Sequence, residues 1–319
     1  MSSWQLTAMT AYYRLVRILA RPPQQFDLAK DRADGEAIGR FKARVPAERQ
    51  PVHAGGVPAE WLIPAGTHPG RTLLYLHGGG YCIGSIHSHR GLATHIAHAT
   101  HARALIIGYR RAPECPFPAP LDDCLAAYRW LLASGVRPEQ LVVAGDSAGG
   151  ALAISLLLSA RDQGIPLAAA GVCLAPWTDL TLSGDSYTSN AQSDLLLDRH
   201  HLAQWVNWYL GDHDPRDPLA SPLFADLRGL PPLLIQVGSV EMLLSDATRF
   251  ADRARAAGVD VTLEVMEHGQ HVQQLGVGLL PEARAAIAHI GQFVDERLGD
   301  SPGQPAVGDV DRIKAAETA

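Results

Sequence analysis

The sequence predicts an α/β protein built on a mostly parallel central sheet with helices on both faces, and three observations carry that expectation. From Arg71 onward, short runs of β-branched or aliphatic residues alternate with longer segments of helical period. The short runs are apolar throughout rather than at every second residue, as strands buried on both faces are. Regular alternation of strand and helix requires crossover connections, and crossovers set successive strands parallel.

Taken in order, strands are expected at 72–76 (TLLYL), 104–109 (ALIIGY), 141–144 (LVVA), 170–174 (AGVCL), 233–237 (LLIQV) and 261–266 (VTLEVM). The intervening segments 119–133, 148–161, 245–257 and 281–298 are each long enough for a helix. Two stretches break the rhythm. Residues 1 to about 45 read as helical and polar without a strand, and 194–212 carries Leu202, Trp205, Val206 and Tyr209 at helical spacing where a crossover should be shorter. Such a stripe marks a packed helix face. The expected organisation is a small helical cap from 1–45 and 190–215 on an α/β body from 46–189 and 216–298. Beyond it, 299–319 is rich in Gly, Pro, Ala and charge with no apolar period, the composition of a disordered tail.

Composition narrows the partners. With 319 residues, 47% of them hydrophobic and 19% charged, the chain can bury a large core. A net charge of −6 gives no electrostatic footprint for nucleic acid or an anionic membrane, so a small uncharged or apolar substrate fits best. No apolar run reaches the roughly 18 residues of a membrane span. The N-terminal stretch interleaves Gln5, Arg14 and Arg17 among its apolar residues and lacks the unbroken core of a signal peptide, so a soluble cytoplasmic protein is expected. Cys82, Cys115, Cys124 and Cys173 contain no C-x-x-C pair and read as free thiols, with neither a zinc site nor a redox motif.

The sharpest local signal is Gly145-Asp146-Ser147-Ala148-Gly149-Gly150, between a strand and a helix. A serine on so tight a turn stands exposed at the carboxyl edge of the sheet, and only small flanking residues avoid a clash. The following helix also aims its N-terminal N–H groups at the serine, where they stabilise negative charge. The second signal is His77-Gly78-Gly79-Gly80, which follows a strand and lies 70 residues before Ser147. Three consecutive glycines let several N–H donors converge on one oxyanion; His77 is expected to anchor that loop. Against a phosphate loop, neither G-x-x-x-x-G-K-[ST] nor G-x-G-x-x-G with a following acid is present.

A serine nucleophile needs a base, and there are 14 histidines. His87, His89, His95, His98 and His101 fall on an early helical or loop segment, and His200 and His201 in the expected cap, so these read as surface or cap residues. Glu267-His268-Gly269-Gln270-His271 follows the last strand and precedes the last helix, the position at which a base arrives after nucleophile and acid in chain order. Both His268 and His271 qualify by position. The carboxylate that orients the base belongs on the loop after the preceding strand, where Glu241 and Asp246 are the candidates. Asp246, nearer the next helix, is the better helix cap.

With these motifs in order, the chain resembles the hormone-sensitive-lipase-like family of bacterial esterases, which have the α/β-hydrolase fold. The resemblance runs from about Arg71 to Val294 and includes HGGGYCIGS from His77, YRRAPECPFPAPLDD from Tyr109, GDSAGG from Gly145, PWTDLT from Pro176 and GLPPLLIQVGSVEMLLSD from Gly229. It implies Ser147, His271 and Glu241 as catalytic residues, the acid preceding the base by 30 residues. It also implies backbone N–H donors at Gly78, Gly79 and Ala148, an acyl-enzyme on Ser147, short-chain esters as substrates, no metal or organic cofactor, and a homodimer in some members. Two departures stand out: the family more often has Asp where this chain has Glu241, and often His where it has Cys115.

Overall fold

The computed structural model describes residues 2–19, 26–37 and 45–299. The expected tail therefore lies, apart from Gly299, outside the described residues, as do parts of the expected N-terminal cap segment. The strands are β1 (Ala47–Ala54), β2 (Val57–Pro64), β3 (Thr72–Leu76), β4 (Arg103–Ile107), β5 (Leu141–Asp146), β6 (Ala170–Leu174), β7 (Leu233–Gly238) and β8 (Val261–Met266). The helices are α1 (Trp4–Leu19), α2 (Leu28–Ala37), α3 (Ile86–Ala99), α4 (Ala119–Ala133), α5 (Ala148–Asp162), the single turn α6 (Ser186–Ser189), α7 (Arg199–Leu210), α8 (Leu244–Ala256) and α9 (Pro281–Leu298). None of the described helices is long and apolar enough to cross a membrane.

One sheet runs in the order β1-β2-β4-β3-β5-β6-β7-β8. From β4 through β8 every pairing is parallel, as the alternation of strand and helix requires, whereas β2 pairs antiparallel with both β1 and β4. The six expected strands are all present. The β1–β2 hairpin was not foreseen, because AERQPVHA reads as polar and carries Pro51. An edge strand tolerates both, since one face and one backbone edge meet water.

Strand parity divides the core. Leu74, Leu76, Leu105, Ile107, Val143, Ile235 and Val237 point to the side carrying α4, α5 and α8. Leu73, Tyr75, Ala104, Ile106, Val142, Ala144 and Leu234 point to the side carrying α3 and α9. Each buried Leu, Ile or Val on these faces contributes about 1.5–3 kcal/mol. The helix α5 is buried from Ala148 through Ala160, consistent with a sequence apolar around its whole circumference. One further residue follows from parity: Asp146 continues the Val142, Ala144 series and so points toward α3, not toward α5.

The two segments expected to form a cap do meet. The Arg17 guanidinium of α1 donates to the carbonyls of Asp194 and Ala191, and Phe26 packs against His200 of α7 with ring centroids 4.8 Å apart. The aromatic stripe of α7 is a packing face, as its spacing indicates: Leu202 and Tyr209 are buried and Trp205 and Val206 partly so.

Candidate active site

Ser147 is the single residue between β5 and α5, with φ 54° and ψ −121°. A non-glycine residue in that region is strained by roughly 1–3 kcal/mol and persists only when its surroundings enforce it. Two hydrogen bonds help to do so, from Ser147 N–H to the Leu174 carbonyl at 2.7 Å and from Trp177 N–H to the Ser147 carbonyl at 3.1 Å. Sterics do the rest. A Cβ on Gly145 would lie 2.2 Å from the Gly149 carbonyl oxygen, and one on Gly149 would lie 2.1 Å from that of Leu76, so the chain closes this tightly only with glycine at both positions.

The loops after β7 and β8 bring Glu241 and His271 together. The distance from His271 Nδ1 to Glu241 Oε2 is 2.6 Å, and the other carboxylate oxygen accepts the Gly238 N–H. A carboxylate at that distance fixes the Nδ1–H tautomer and leaves Nε2, which has no hydrogen-bond partner among the described residues, as a proton acceptor. Burial disfavours charge on His271, but the Glu241 carboxylate outweighs it and raises the imidazole pKa above its usual 6.5. Burial likewise pushes the Glu241 carboxyl up, opposed by His271 and the Gly238 N–H.

Segment 190–197 braces these loops. Asn190 Nδ2 donates to the Glu241 carbonyl at 2.9 Å, Ser193 Oγ to that of Val240 at 3.1 Å, and Gln270 Nε2 to that of Ser193 at 3.0 Å. Asp194, fully buried, accepts the Met242 N–H at 2.7 Å.

The glycine run follows β3, whose neighbour in the sheet is β5, so it meets the serine turn at the carboxyl edge. His77 Nδ1 donates to the Gly78 carbonyl at 2.8 Å, and its ring stacks on Tyr109, whose hydroxyl donates to the His77 carbonyl at 2.7 Å. Burial, reinforced by nearby His89, pushes the His77 pKa down to about 3, so the ring is neutral and anchors the loop as expected. Gly78 does not fit the role expected of it. Its N–H donates to Asp146 Oδ1 at 3.1 Å and is spoken for, whereas the N–H groups of Gly79, Gly80 and Ala148 have no acceptor among the described residues. Helix α7 closes over this loop. Trp205 sits where a Cβ on Gly80 would come within 2.2 Å of the ring, and Tyr209 stacks on Tyr81 at 3.7 Å.

Each sequence candidate thus has a place. His268 is exposed, beside Glu267 at 3.4 Å, and does not meet Glu241. Asp246 also faces elsewhere and does not cap α8; it accepts the Asp179 N–H at 2.9 Å from the PWTDLT segment. Burial raises its pKa well above the usual value. Three residues of the site escaped the sequence reading: Asp146, Asp194 and His89. His89 was expected at the surface but is buried, with Nε2 3.2 Å from Asp146 Oδ2. Asp146 lies inside the serine motif, and the strand parity of 142, 144 and 146 could have aimed it at α3; nothing in the sequence singles out His89 or Asp194.

Comparison with known proteins bears out the fold. A family model described as the alpha/beta hydrolase fold matches residues 73–275. An acetyl-hydrolase of Streptomyces hygroscopicus is 46% identical over 86% of this chain and 90% of its own length. An esterase of Acinetobacter venetianus is 34% identical over 88% of this chain and 93% of its own. The crystal structure of an esterase from the bacterial hormone-sensitive lipase family, 44% identical, superposes with a TM-score of 0.89 over 94% of this chain and all 100% of that one.

Proposed function

Because the chain belongs to the α/β-hydrolase fold family, in the branch of the bacterial hormone-sensitive-lipase esterases, we propose that it is a serine carboxylesterase with Ser147 as nucleophile, His271 as base and Glu241 as the acid that orients it. The observation that carries this reading is the 2.6 Å contact of His271 Nδ1 with Glu241, delivered by the loops after β7 and β8 to the sheet edge where the loop after β5 presents Ser147. Ser147 Oγ attacks the ester carbonyl carbon while His271 Nε2 takes its proton. The oxyanion is received by the N–H groups of Gly79, Gly80 and Ala148, Gly80 replacing Gly78 in the expected set. Collapse expels the alcohol with the proton from His271. A water molecule, deprotonated by the same nitrogen, then cleaves the acyl-enzyme and regenerates Ser147.

Segment 190–215, with α1 packed against it, acts as a lid whose Trp205 and Tyr209 limit the room above the glycine loop, which favours short acyl chains. The name of the acetyl-hydrolase relative supports a second reading within the same chemistry, an acetyl ester or acetylated amine as natural substrate. The test is turnover of chromogenic acetate and butyrate esters by wild type and Ser147→Ala. The variant is expected to lose about four orders of magnitude or more. Retention of a tenth of wild-type turnover in clean protein would end the serine reading. A panel of esters, lactones and N-acetyl compounds separates the two substrate classes.

A further inference from the structure

Asp146 and His89 form a second buried acid–imidazole pair, one residue from Ser147, to which the chemistry above gives no task. Asp146 is 2% exposed; its Oδ1 accepts the Tyr75 hydroxyl at 2.7 Å and the Gly78 N–H at 3.1 Å, and its Oδ2 lies 3.2 Å from His89 Nε2. His89 Nδ1 lies 2.8 Å from Ser88 Oγ. That hydroxyl has a single proton, and it already accepts the Ser85 N–H at 2.8 Å and faces the Ser85 carbonyl at 3.0 Å. The charge state turns on that proton: on the Ser85 carbonyl it leaves Nδ1 a donor to Oγ beside an Nε2 that faces a carboxylate, whereas on Nδ1 it leaves the ring neutral. A ring that donates from both nitrogens is an imidazolium.

We propose that His89 is a positioning residue of the acyl-transfer site: as an imidazolium it holds Asp146, which pins the Gly78 N–H and so aims the Gly79 and Gly80 donors at the oxyanion formed on Ser147. The proposal rests on the reading of Ser147 as nucleophile. Its physical basis is that a run of three glycines has little conformational preference of its own, while oxyanion stabilisation requires donors fixed before the charge develops. Asp146 belongs to the serine turn itself, so one carboxylate ties the donor loop to the nucleophile. Neither His89 nor Asp146 touches substrate.

The groups facing His89 are Asp146 from the end of β5, His77 from the glycine loop with its ring centroid 5.5 Å away, Glu36 from α2, and Ser85 and Ser88 at its own helix start. Tyr75 of β3 reaches Asp146, and Arg111 acts on His77. Burial opposes the charge on His89, but Asp146 and, more weakly, Glu36 favour it, and its pKa is raised from 6.5. The imidazolium is thus held to higher pH than a free histidine would keep it, and as pH rises through the raised value it is lost, the pin loosens and kcat falls.

Two measurements on the full chain test this. Nitrogen-15 NMR of histidine-labelled wild type at about pH 6, below the ordinary imidazole value, should show both His89 ring nitrogens protonated; a bare nitrogen would overturn the proposal without any variant having to fold. The variant His89→Gln keeps a donor toward Asp146 but removes the charge. Its kcat on a chromogenic acetate should fall about ten- to a hundredfold while KM stays within about twofold, and the alkaline fall in kcat should disappear. Wild-type kcat, or an unchanged alkaline limb, would refute the positioning role. Failure of the serine reading shows separately, as activity retained by Ser147→Ala.

Discussion

The two buried acid–imidazole pairs differ in what each leaves its histidine free to do. At His271 one nitrogen is held by Glu241 at 2.6 Å and the other has no protein partner among the described residues. At His89 one nitrogen meets Asp146 at 3.2 Å and the other Ser88 Oγ at 2.8 Å. A histidine with a free nitrogen can carry a proton between substrate groups; one with both nitrogens committed can only hold a charge in place. Their positions match these tasks, the first pair on loops at the carboxyl edge of the sheet, the second between α3 and the last residue of β5. The side-chain types are nearly the same, and placement is what leaves one ring a free nitrogen and the other none.

The largest expected effect comes from breaking the first pair. Glu241→Gln should lower turnover by about two to four powers of ten in a protein that still melts cooperatively, because the imidazole loses both its fixed tautomer and its counter-charge. An active Glu241→Gln beside a folded but inactive Asp246→Asn would transfer the acid to Asp246.

The same pair predicts a pH signature of intermediate size. Since His271 acts as base only when neutral and its pKa is raised above 6.5, the acid limb of kcat/KM should have its midpoint above 6.5 in wild type. It should move to lower pH in Glu241→Gln, measured on whatever residual activity remains. A midpoint that does not move would mean that Glu241 does not govern the imidazole. The linkage to stability has the matching sign: what ionising His271 contributes is fully present below about pH 6.5 and is lost as pH rises through the raised folded value.

The smallest effect on catalysis is expected at Asp246, a buried carboxyl with no histidine partner. Asp246→Asn should cost about 1–3 kcal/mol in denaturant unfolding, since the hydrogen bond to Asp179 N–H is perturbed, and leave turnover within about twofold of wild type. A large loss of turnover there would remove the contrast between a carboxyl that orients a base and one that braces a loop.

How far the site could be read in advance depended on how local its signals are. Ser147 was legible because the turn geometry itself demands Gly145 and Gly149, two residues away on either side. His271 and Glu241 were legible from chain order and spacing, helped by resemblance, since position alone left His268 and Asp246 in play. Which N–H groups of the glycine loop are free was not legible, because that depends on where the Asp146 carboxylate points. His89 was misjudged outright: SHRGLATH has the look of a surface helix, and its burial comes from packing on a sheet face built by residues far away in sequence.

By itself, then, the sequence determined the α/β class, six of the eight described strands, the serine turn and the chain order of the loops that carry Glu241 and His271, because each rests on periodicity or on turn sterics within a few residues. The tertiary structure decided which histidine and carboxylate meet, which donors stay free, and that a second buried acid–imidazole pair lies beneath the serine. Those outcomes turn on distances between groups 30 to 71 residues apart, which no local pattern fixes until the sheet brings its strand ends together.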